Sequence, residues 1–167
     1  MSPRMPSVGS HDLGVDGELL AKSLLESRGY TVRQLRVNYW TYDLEVDAST
    51  PFWVSVKTSK KKQHVRLGRL SSVSRLTEGN FVFAFMPALG LKEIVFADQG
   101  YKLLIVPAAV AKDDGIAIHN SYIEEKKLDQ NYNYDVMVKG YAKRLHQQQV
   151  WKKWSEYQDK WSLLPLP

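Results

Sequence analysis

The spacing of hydrophobic positions changes several times along the chain, and each change predicts an element. Apolar and small residues recur at helical spacing over about residues 13–28, and Gly29 follows as a C-terminal cap, which predicts a first helix. Residues 30–37, 42–47 and 53–58 then alternate with a period of two and are rich in β-branched and aromatic side chains. This half of the chain therefore predicts a helix followed by a three-strand meander.

Later apolar runs are continuous rather than alternating. Residues 81–86, 93–97 and 101–106 are typical of strands covered on both faces, and they extend the predicted sheet. Pro107 is suited to the first turn of a short helix, residues 112–135 predict a loop, and residues 138–161 predict a long polar-aromatic helix. Its aromatic side chains recur every three or four residues, which favours core packing or dimerisation; these are Trp151, Trp154, Tyr157 and Trp161.

The order of elements indicates an α/β protein with one domain. Residues 1–12, rich in Pro, Ser and Gly near their start, predict a flexible arm, and residues 13–167 predict the folded domain. A length of 167 residues with 44% hydrophobic residues is enough for one sizeable core.

Composition narrows the classes of function. The chain has no cysteine, so thiolate metal sites and thiol nucleophiles are excluded, and any metal site must use other ligands. The glycine pattern provides neither a phosphate loop nor a dinucleotide fingerprint, so we expect no nucleotide cofactor. No apolar run is long enough for a membrane span, and a cytoplasmic protein is the expectation. A net charge of +5 favours polyanionic partners.

Candidate chemistry lies on the predicted hairpin of residues 42–58. Alternation places Asp43, Glu45 and Asp47 on one face, opposite two buried aliphatic residues. Clustered carboxylates repel one another, and a divalent cation with oxygen ligands is a natural way to hold them together. Spacing alone, however, favours a solvated strand face with an ordinary cross-strand ion pair.

The partner strand adds a lysine to the same face. Ser55 and Lys57 alternate with buried valines, so burying both apolar sets together brings Lys57 beside the carboxylates. A turn centred near Thr50 sets Asp43 opposite Lys57 and Glu45 opposite Ser55, whereas a two-residue slip would keep the faces and change the partners. Lys57 could there orient water or stabilise phosphate charge.

Several short motifs, taken in order, resemble the PD-(D/E)xK nuclease superfamily. These are Gly17-Glu18 opening a helix, Gly29-Tyr30-Thr31-Val32 ending it, Tyr42-Asp43-Leu44-Glu45-Val46, and Val54-Ser55-Val56-Lys57-Thr58. The likeness is greatest to archaeal Holliday-junction resolvases and small endonuclease-like proteins, and it covers roughly residues 14–106. It implies a restriction-endonuclease-like αβββαβ core, with a mixed central sheet flanked by helices.

The resemblance also implies roles for individual residues. Asp43 would be a ligand of Mg²⁺ or Mn²⁺, Glu18 would assist metal or water binding, and Lys57 would position the attacking water or offset phosphate charge. Position 55 departs from the family, which has Glu, Asp or Gln there, while Ser55 offers a short hydroxyl to the metal. We hypothesise that Glu45 replaces the missing ligand from the neighbouring strand.

A basic run follows the candidate site and favours DNA as the partner. A solvated charged loop is an equally good interpretation of these lysines and arginines. The predicted DNA-binding residues are Thr58, Ser59, Lys60, Lys61, Lys62, Arg66 and Arg69.

The sequence thus predicts a metal-dependent DNA endonuclease that hydrolyses phosphodiester bonds. The alternative is a catalytically degenerate member of the fold that binds DNA or protein, and a pure interaction scaffold is a third reading. A homodimer is compatible with the first, since cutting both strands often uses two sites.

Overall fold

A computed structural model of the chain describes residues 10–35, 41–130, 132 and 134–167. The predicted arm at residues 1–9 and the predicted strand end at 36–37 lie outside these ranges. The first helix begins at Ser10, so residues 10–12 belong to the helix and not to the predicted arm. It ends as expected, because Gly29 adopts a positive φ of 94° and the chain then turns into the first strand.

The described residues form four α-helices and seven strands. In order they are α1 (Ser10–Ser27), β1 (Thr31–Gln34), β2 (Leu44–Asp47), β3 (Phe52–Thr58), β4 (His64–Gly68), α2 (Leu70–Val73), β5 (Phe81–Pro87), β6 (Tyr101–Pro107), α3 (Ala108–Lys126), β7 (Val136–Lys139) and α4 (Leu145–Ser155).

The main sheet has five strands in the order β1-β2-β3-β5-β6. Strands β3 and β5 are parallel, and the other neighbours are antiparallel. Every residue of β5 is buried, as its continuous apolar run predicts for a strand covered on both faces. The predicted fold class, α/β with a mixed central sheet flanked by helices, is confirmed.

Each face of the sheet has its own core. On one face α1 contributes Ala21 and Leu25, which pack with Leu44, Val54 and aromatic residues of β5. The opposite face is covered by α2, α3, α4 and a second, two-stranded sheet of β4 and β7. Residue Trp154 is fully buried there, so the core-packing interpretation of the aromatic stripe is correct for it. The candidate site lies where β2 begins and β3 ends, and elements from both layers meet there.

Three sequence predictions of local structure were wrong. Residues 93–97 form no strand, because this largely exposed segment has only an isolated bridge between Val95 and Gly100 and a backbone hydrogen bond from Ile94 to Lys60. Residues 138–161 form no single helix, because Val136 and Val138 are instead buried in β7 and the helix spans only Leu145–Ser155.

Most of the predicted loop at residues 112–135 is helical. Helix α3 runs to Lys126, and its buried positions include Ala111, Gly115 and Ile118 at helical spacing. Gly115 lies so close to the neighbouring layer that an added Cβ would come within 2.8 Å of Val73. Close packing thus outweighs the low helix propensity of glycine at this position. None of the described helices has the length and apolar character needed to cross a membrane.

The carboxylate of Asp114 joins α3 to α4. We therefore expect its removal to lower stability more than removal of the neighbouring Asp113 carboxylate. Oδ2 of Asp114 accepts a hydrogen bond of 2.7 Å from Nε1 of buried Trp154, and Asp114 also pairs with Lys153. We expect Asp114→Ala to lower the free energy of unfolding by about 1–3 kcal/mol, because the buried indole N–H loses its acceptor. Urea denaturation measures this, with Asp113→Ala as the control.

Asp113 is exposed on the same turn and undergoes the same change in helix propensity. Its substitution should alter stability by less than about 0.5 kcal/mol. Equal losses in the two variants would contradict the anchoring role of Asp114.

Candidate active site

The pairing of β2 with β3 differs from the predicted register by two residues. Leu44 pairs with Val54, and Glu45 pairs with Trp53, so the turn is centred one residue earlier than Thr50. The same register sets Asp43, just before β2, across from Ser55 rather than Lys57. The predicted opposition of Glu45 and Ser55 is therefore wrong, while the assignment of buried Leu44 and Val54 to one face is correct.

Asp43 lies where the backbone ladder between β2 and β3 ends. The amide of Asp43 still donates to the carbonyl of Val54, over 2.9 Å. The next amide on β3, that of Val56, donates instead to Oδ2 of the Asp43 side chain, over 2.6 Å. Since backbone N–H groups point along the plane of a sheet, this bond draws the carboxylate toward that plane. It can then be approached from both faces.

Glu18 approaches Asp43 from α1, near enough for each carboxyl group to act on the pKa of the other. Burial and the neighbouring charge of Asp43 raise the pKa of Glu18 to about 7. Burial also raises the pKa of Asp43, against the amide of Val56 and the charge of Lys57, which both favour the ionised form. The pair therefore holds a proton more tightly than two isolated carboxylates would, as expected for acids in contact.

The close approach of α1 to β3 depends on Gly17. A Cβ at this position would overlap Oγ1 of Thr58, and would also touch Val56. Because Gly17 precedes Glu18, the glycine lets the helix lie near enough for the Glu18 carboxyl to meet Asp43. The expectation that Gly17-Glu18 opens the helix was wrong, because α1 begins at Ser10 and Glu18 lies in its middle. The reason for the Gly-Glu pair is therefore the close contact of α1 with β3 and not the helix dipole, whose effect is confined to the first turn.

Lys57 completes the cluster. Burial lowers its pKa, and the carboxylates of Asp43, Asp135 and Glu18 partly oppose this shift. Asp135 immediately precedes β7 and also pairs with Arg66 of β4, with 3.3 Å between Nε and Oδ2. Sequence reasoning missed Asp135, because it sits in a stretch that was interpreted as a loop and becomes a neighbour only through the pairing of β4 with β7.

Ser55 is fully buried on β3, across from Asp43. Its hydroxyl has no hydrogen-bond partner among the described residues. A buried polar atom without a partner costs free energy, so its presence beside the carboxyl pair is a feature that core packing does not explain.

These donors suit a hard cation such as Mg²⁺, which takes oxygen ligands and is commonly held by one or two carboxylates plus substrate phosphate. Asp43 and Glu18 supply such a pair, with the Ser55 hydroxyl nearby. In the part of the chain that the structure describes, no group of three acidic or histidine side chains is arranged to hold a metal ion. The chemistry of the donor set thus fits a cation whose remaining ligands come from water and substrate.

Glu45, the hypothesised substitute ligand, is engaged elsewhere. It pairs with Arg33 on β1, directly across the β1–β2 ladder. Its strand partner on β3 is Trp53 and not Ser55, so the register no longer supports its proposed reach toward position 55.

The predicted DNA-binding residues divide into buried and exposed groups. Ser59 is buried, and its hydroxyl closes a turn by donating to the carbonyl of Lys62 over 2.6 Å, which does not suit a DNA contact. Thr58 points toward Gly17 of α1. The exposed residues of the set are Lys60, Lys61, Lys62, Arg66 and Arg69. The first three lie on the loop after β3, beyond Lys57.

Comparison with solved structures finds a similar fold in a bacterial homing endonuclease, I-Ssp6803I. The similarity covers 94% of this chain and 91% of that one, with a TM-score of 0.51 and 18% sequence identity. The chain therefore has a nuclease-like fold over nearly its whole length. No protein-family model and no curated protein sequence matches the chain.

Substitution of two glycines of α1 tests how closely this helix packs against β3. We expect Gly14→Ala to raise the free energy of unfolding by up to about 1 kcal/mol, since nothing lies near its added Cβ and alanine favours helix. Gly17→Ala should instead lower it by about 1–3 kcal/mol, because its Cβ overlaps Thr58. Chemical denaturation measures both, and a stabilising Gly17→Ala would contradict the close contact.

The pKa of Glu18 predicts a pH-dependent stability in metal-free buffer. The folded-state value of about 7 lies above the ordinary 4.5, so the folded state binds the proton more tightly. Stability therefore falls as the pH rises from about 4.5 through 7. Glu18→Gln cannot ionise, so its Tm relative to the native protein should be more favourable at pH 8 than at pH 5.

The exposed Glu26 on the same helix is a matched control. Glu26→Gln should change Tm by a similar small amount at both pH values. A Glu18→Gln difference that is independent of pH would contradict the raised pKa.

Proposed function

We propose that this protein is a metal-dependent DNA endonuclease of the PD-(D/E)xK type, using Mg²⁺ or Mn²⁺. The observation that carries the proposal is the convergence of Glu18 and Lys57 on Asp43 at the end of the β2–β3 ladder. Two carboxyl groups and a lysine with shifted pKa values, gathered on a nuclease-like fold, are typical of a hydrolytic site.

Each residue of the site would have a separate role in hydrolysing a phosphodiester. Asp43 and Glu18 would hold the cation, with Asp43 oriented by the amide of Val56. The cation, when bound, supplies an activated water and neutralises charge on the phosphate. Lys57 donates to the phosphate oxygens as negative charge grows there. Without a cation Glu18 has a pKa of about 7, so a bound cation would favour its ionised form near neutral pH.

The neighbouring carboxylates favour the charged form of Lys57, which this role requires. Burial alone favours its neutral form, whereas Asp43, Glu18 and Asp135 favour the ammonium. An anionic phosphate beside Lys57 acts in the same direction as these carboxylates, so substrate binding favours the charged lysine that stabilises it.

DNA as the substrate is supported by charge and by the structural neighbour. Exposed lysines and arginines follow Lys57 along the chain, and Arg66 pairs with Asp135, which acts on Lys57. The net charge of +5 favours a polyanion. The protein with a similar fold is a homing endonuclease.

Ser55 favours a second candidate function, a nuclease-fold protein that binds DNA without cutting it. A hydroxyl at this position replaces a carboxylate or amide of the resembled family, and Glu45 pairs with Arg33 instead of reaching the site. Binding of DNA that depends on salt but yields no cleavage under any divalent cation would select this candidate.

The cleavage assay compares supercoiled, linear and branched DNA with Mg²⁺, with Mn²⁺ and with EDTA. Asp43→Asn should lower the cleavage rate by about a hundredfold or more, because it removes a charged ligand of the cation. Lys57→Ala should lower it by a similar factor, because it removes a positive charge beside the phosphate. Asp47→Asn is the control, since Asp47 is exposed at the far end of β2.

Retained cleavage in Asp43→Asn would contradict the assignment, provided that the variant is folded. Full activity in EDTA would contradict the metal dependence. Loss of activity in Asp47→Asn equal to that in Asp43→Asn would show that the assay reports on general charge and not on the site.

A further inference from the structure

A cleft adjoins the proposed active site on the side of β7. It lies between the C-terminal half of α3, β7 and the start of α4, and its volume is about 500 Å³. This is within the range of about 300–1,000 Å³ that is typical of small-ligand sites. Asp135 belongs to its wall and also acts on the charge of Lys57, so the cleft is next to the proposed catalytic lysine.

The wall of the cleft is rich in aromatic rings that already stack on one another. The rings of His119 and Tyr134 are nearly parallel, with an angle of 14° and centroids 5.4 Å apart. Tyr134 in turn contacts Tyr122, with centroids 4.4 Å apart and an angle of 30°. Tyr122 and Tyr134 both line the cleft. A planar ligand there can extend an existing series of rings.

Cations surround these rings. Lys139, Lys143 and Arg144 line the cleft, against the one carboxylate of Asp135. That carboxylate is already paired with Arg66, outside the cleft. Arg144 is likewise paired with Glu125, outside the cleft. Lys139 and Lys143 therefore give the lining its excess of positive charge beside the aromatic surfaces. A flat ring attached to an anionic phosphate matches both features.

We propose that the cleft binds an unpaired nucleotide of a DNA strand, next to the phosphate that is held at Lys57. This inference rests on the proposed function and specifies its substrate class. In an intact duplex the base faces are already stacked, so a base can enter the cleft only where it lacks a partner strand or leaves the helix. The site thus favours DNA with a single-stranded gap over the same DNA fully paired.

The position of the cleft would let one DNA strand place a base in the cleft and a phosphate at the proposed active site. β4 carries Arg66 beside the active site, and β7 pairs with β4 while carrying Lys139 into the cleft. Asp135 links the two places, because it acts on the charge of Lys57, lines the cleft and pairs with Arg66. A strand crossing this pair would place one phosphate near Lys57 and the neighbouring base against Tyr122, because His119 and Tyr122 already contact the ring of Tyr134.

Fluorescence anisotropy tests the inference with two labelled DNAs, a duplex with a short single-stranded gap and the same duplex without it. EDTA in the buffer prevents cleavage. We expect the native protein to bind the gapped DNA roughly tenfold more tightly, as the stacking of one base allows. Tyr122→Leu should abolish this preference and leave the affinity for intact duplex unchanged.

Tyr101→Leu is the matched control, because Tyr101 contacts Phe85 in the core on the α1 face of the sheet. It should keep the preference for gapped DNA. If Tyr122→Leu fails to fold by circular dichroism, Tyr141→Leu replaces it, since Tyr141 also lines the cleft and is 47% exposed. Its expected effect is the same loss of preference.

The outcomes separate this inference from the function on which it rests. Equal binding of both DNAs by the native protein, or equal weakening of both by Tyr122→Leu, overturns the nucleotide site while DNA binding stands. Absence of binding to either DNA by the folded native protein overturns the DNA-directed function, and the inference with it.

Discussion

The hydrogen bond from the amide of Val56 to the carboxylate of Asp43 is the constraint on which the candidate site depends. Two residues earlier on β3, the carbonyl of Val54 still bonds to the backbone amide of Asp43, whereas at Val56 the Asp43 side chain takes the place of a backbone group. This substitution turns the Asp43 carboxylate toward the plane of the sheet. Glu18 from the helical layer and Lys57 from β3 can then act on the same carboxylate, although they belong to different elements.

The elements packed around Asp43 partly exclude water from the site. Gly17 lets α1 approach β3, and β4 and β7 bring Asp135 to the other side. Partial burial raises the pKa of both carboxyl groups and lowers that of Lys57, so each group is held nearer to its neutral form. A bound divalent cation would favour the ionised form of the two carboxyl groups, and a bound phosphate would favour the charged form of Lys57. These two effects are the physical basis for the proposed function.

Sequence patterns predicted the parts of the site that depend on local order. The period of two in β2 and β3 assigned the buried faces correctly, and the Gly17-Glu18 pair marked the helix that contacts Asp43. The register was wrong by two residues because it depends on the turn, and a slip by two leaves the same faces buried. Asp135 was missed because its proximity to Lys57 arises from pairing between strands that are distant in sequence.

The most direct test of the account is an NMR titration of the side-chain carboxyl carbons of Glu18 and Asp43, without metal and with Mg²⁺. Without metal, Glu18 should titrate near pH 7 and Asp43 above its ordinary 3.8. Added Mg²⁺ should lower both pKa values, because a bound cation favours the ionised carboxylates. Ordinary pKa values that Mg²⁺ leaves unchanged would contradict a shared metal-binding carboxyl pair.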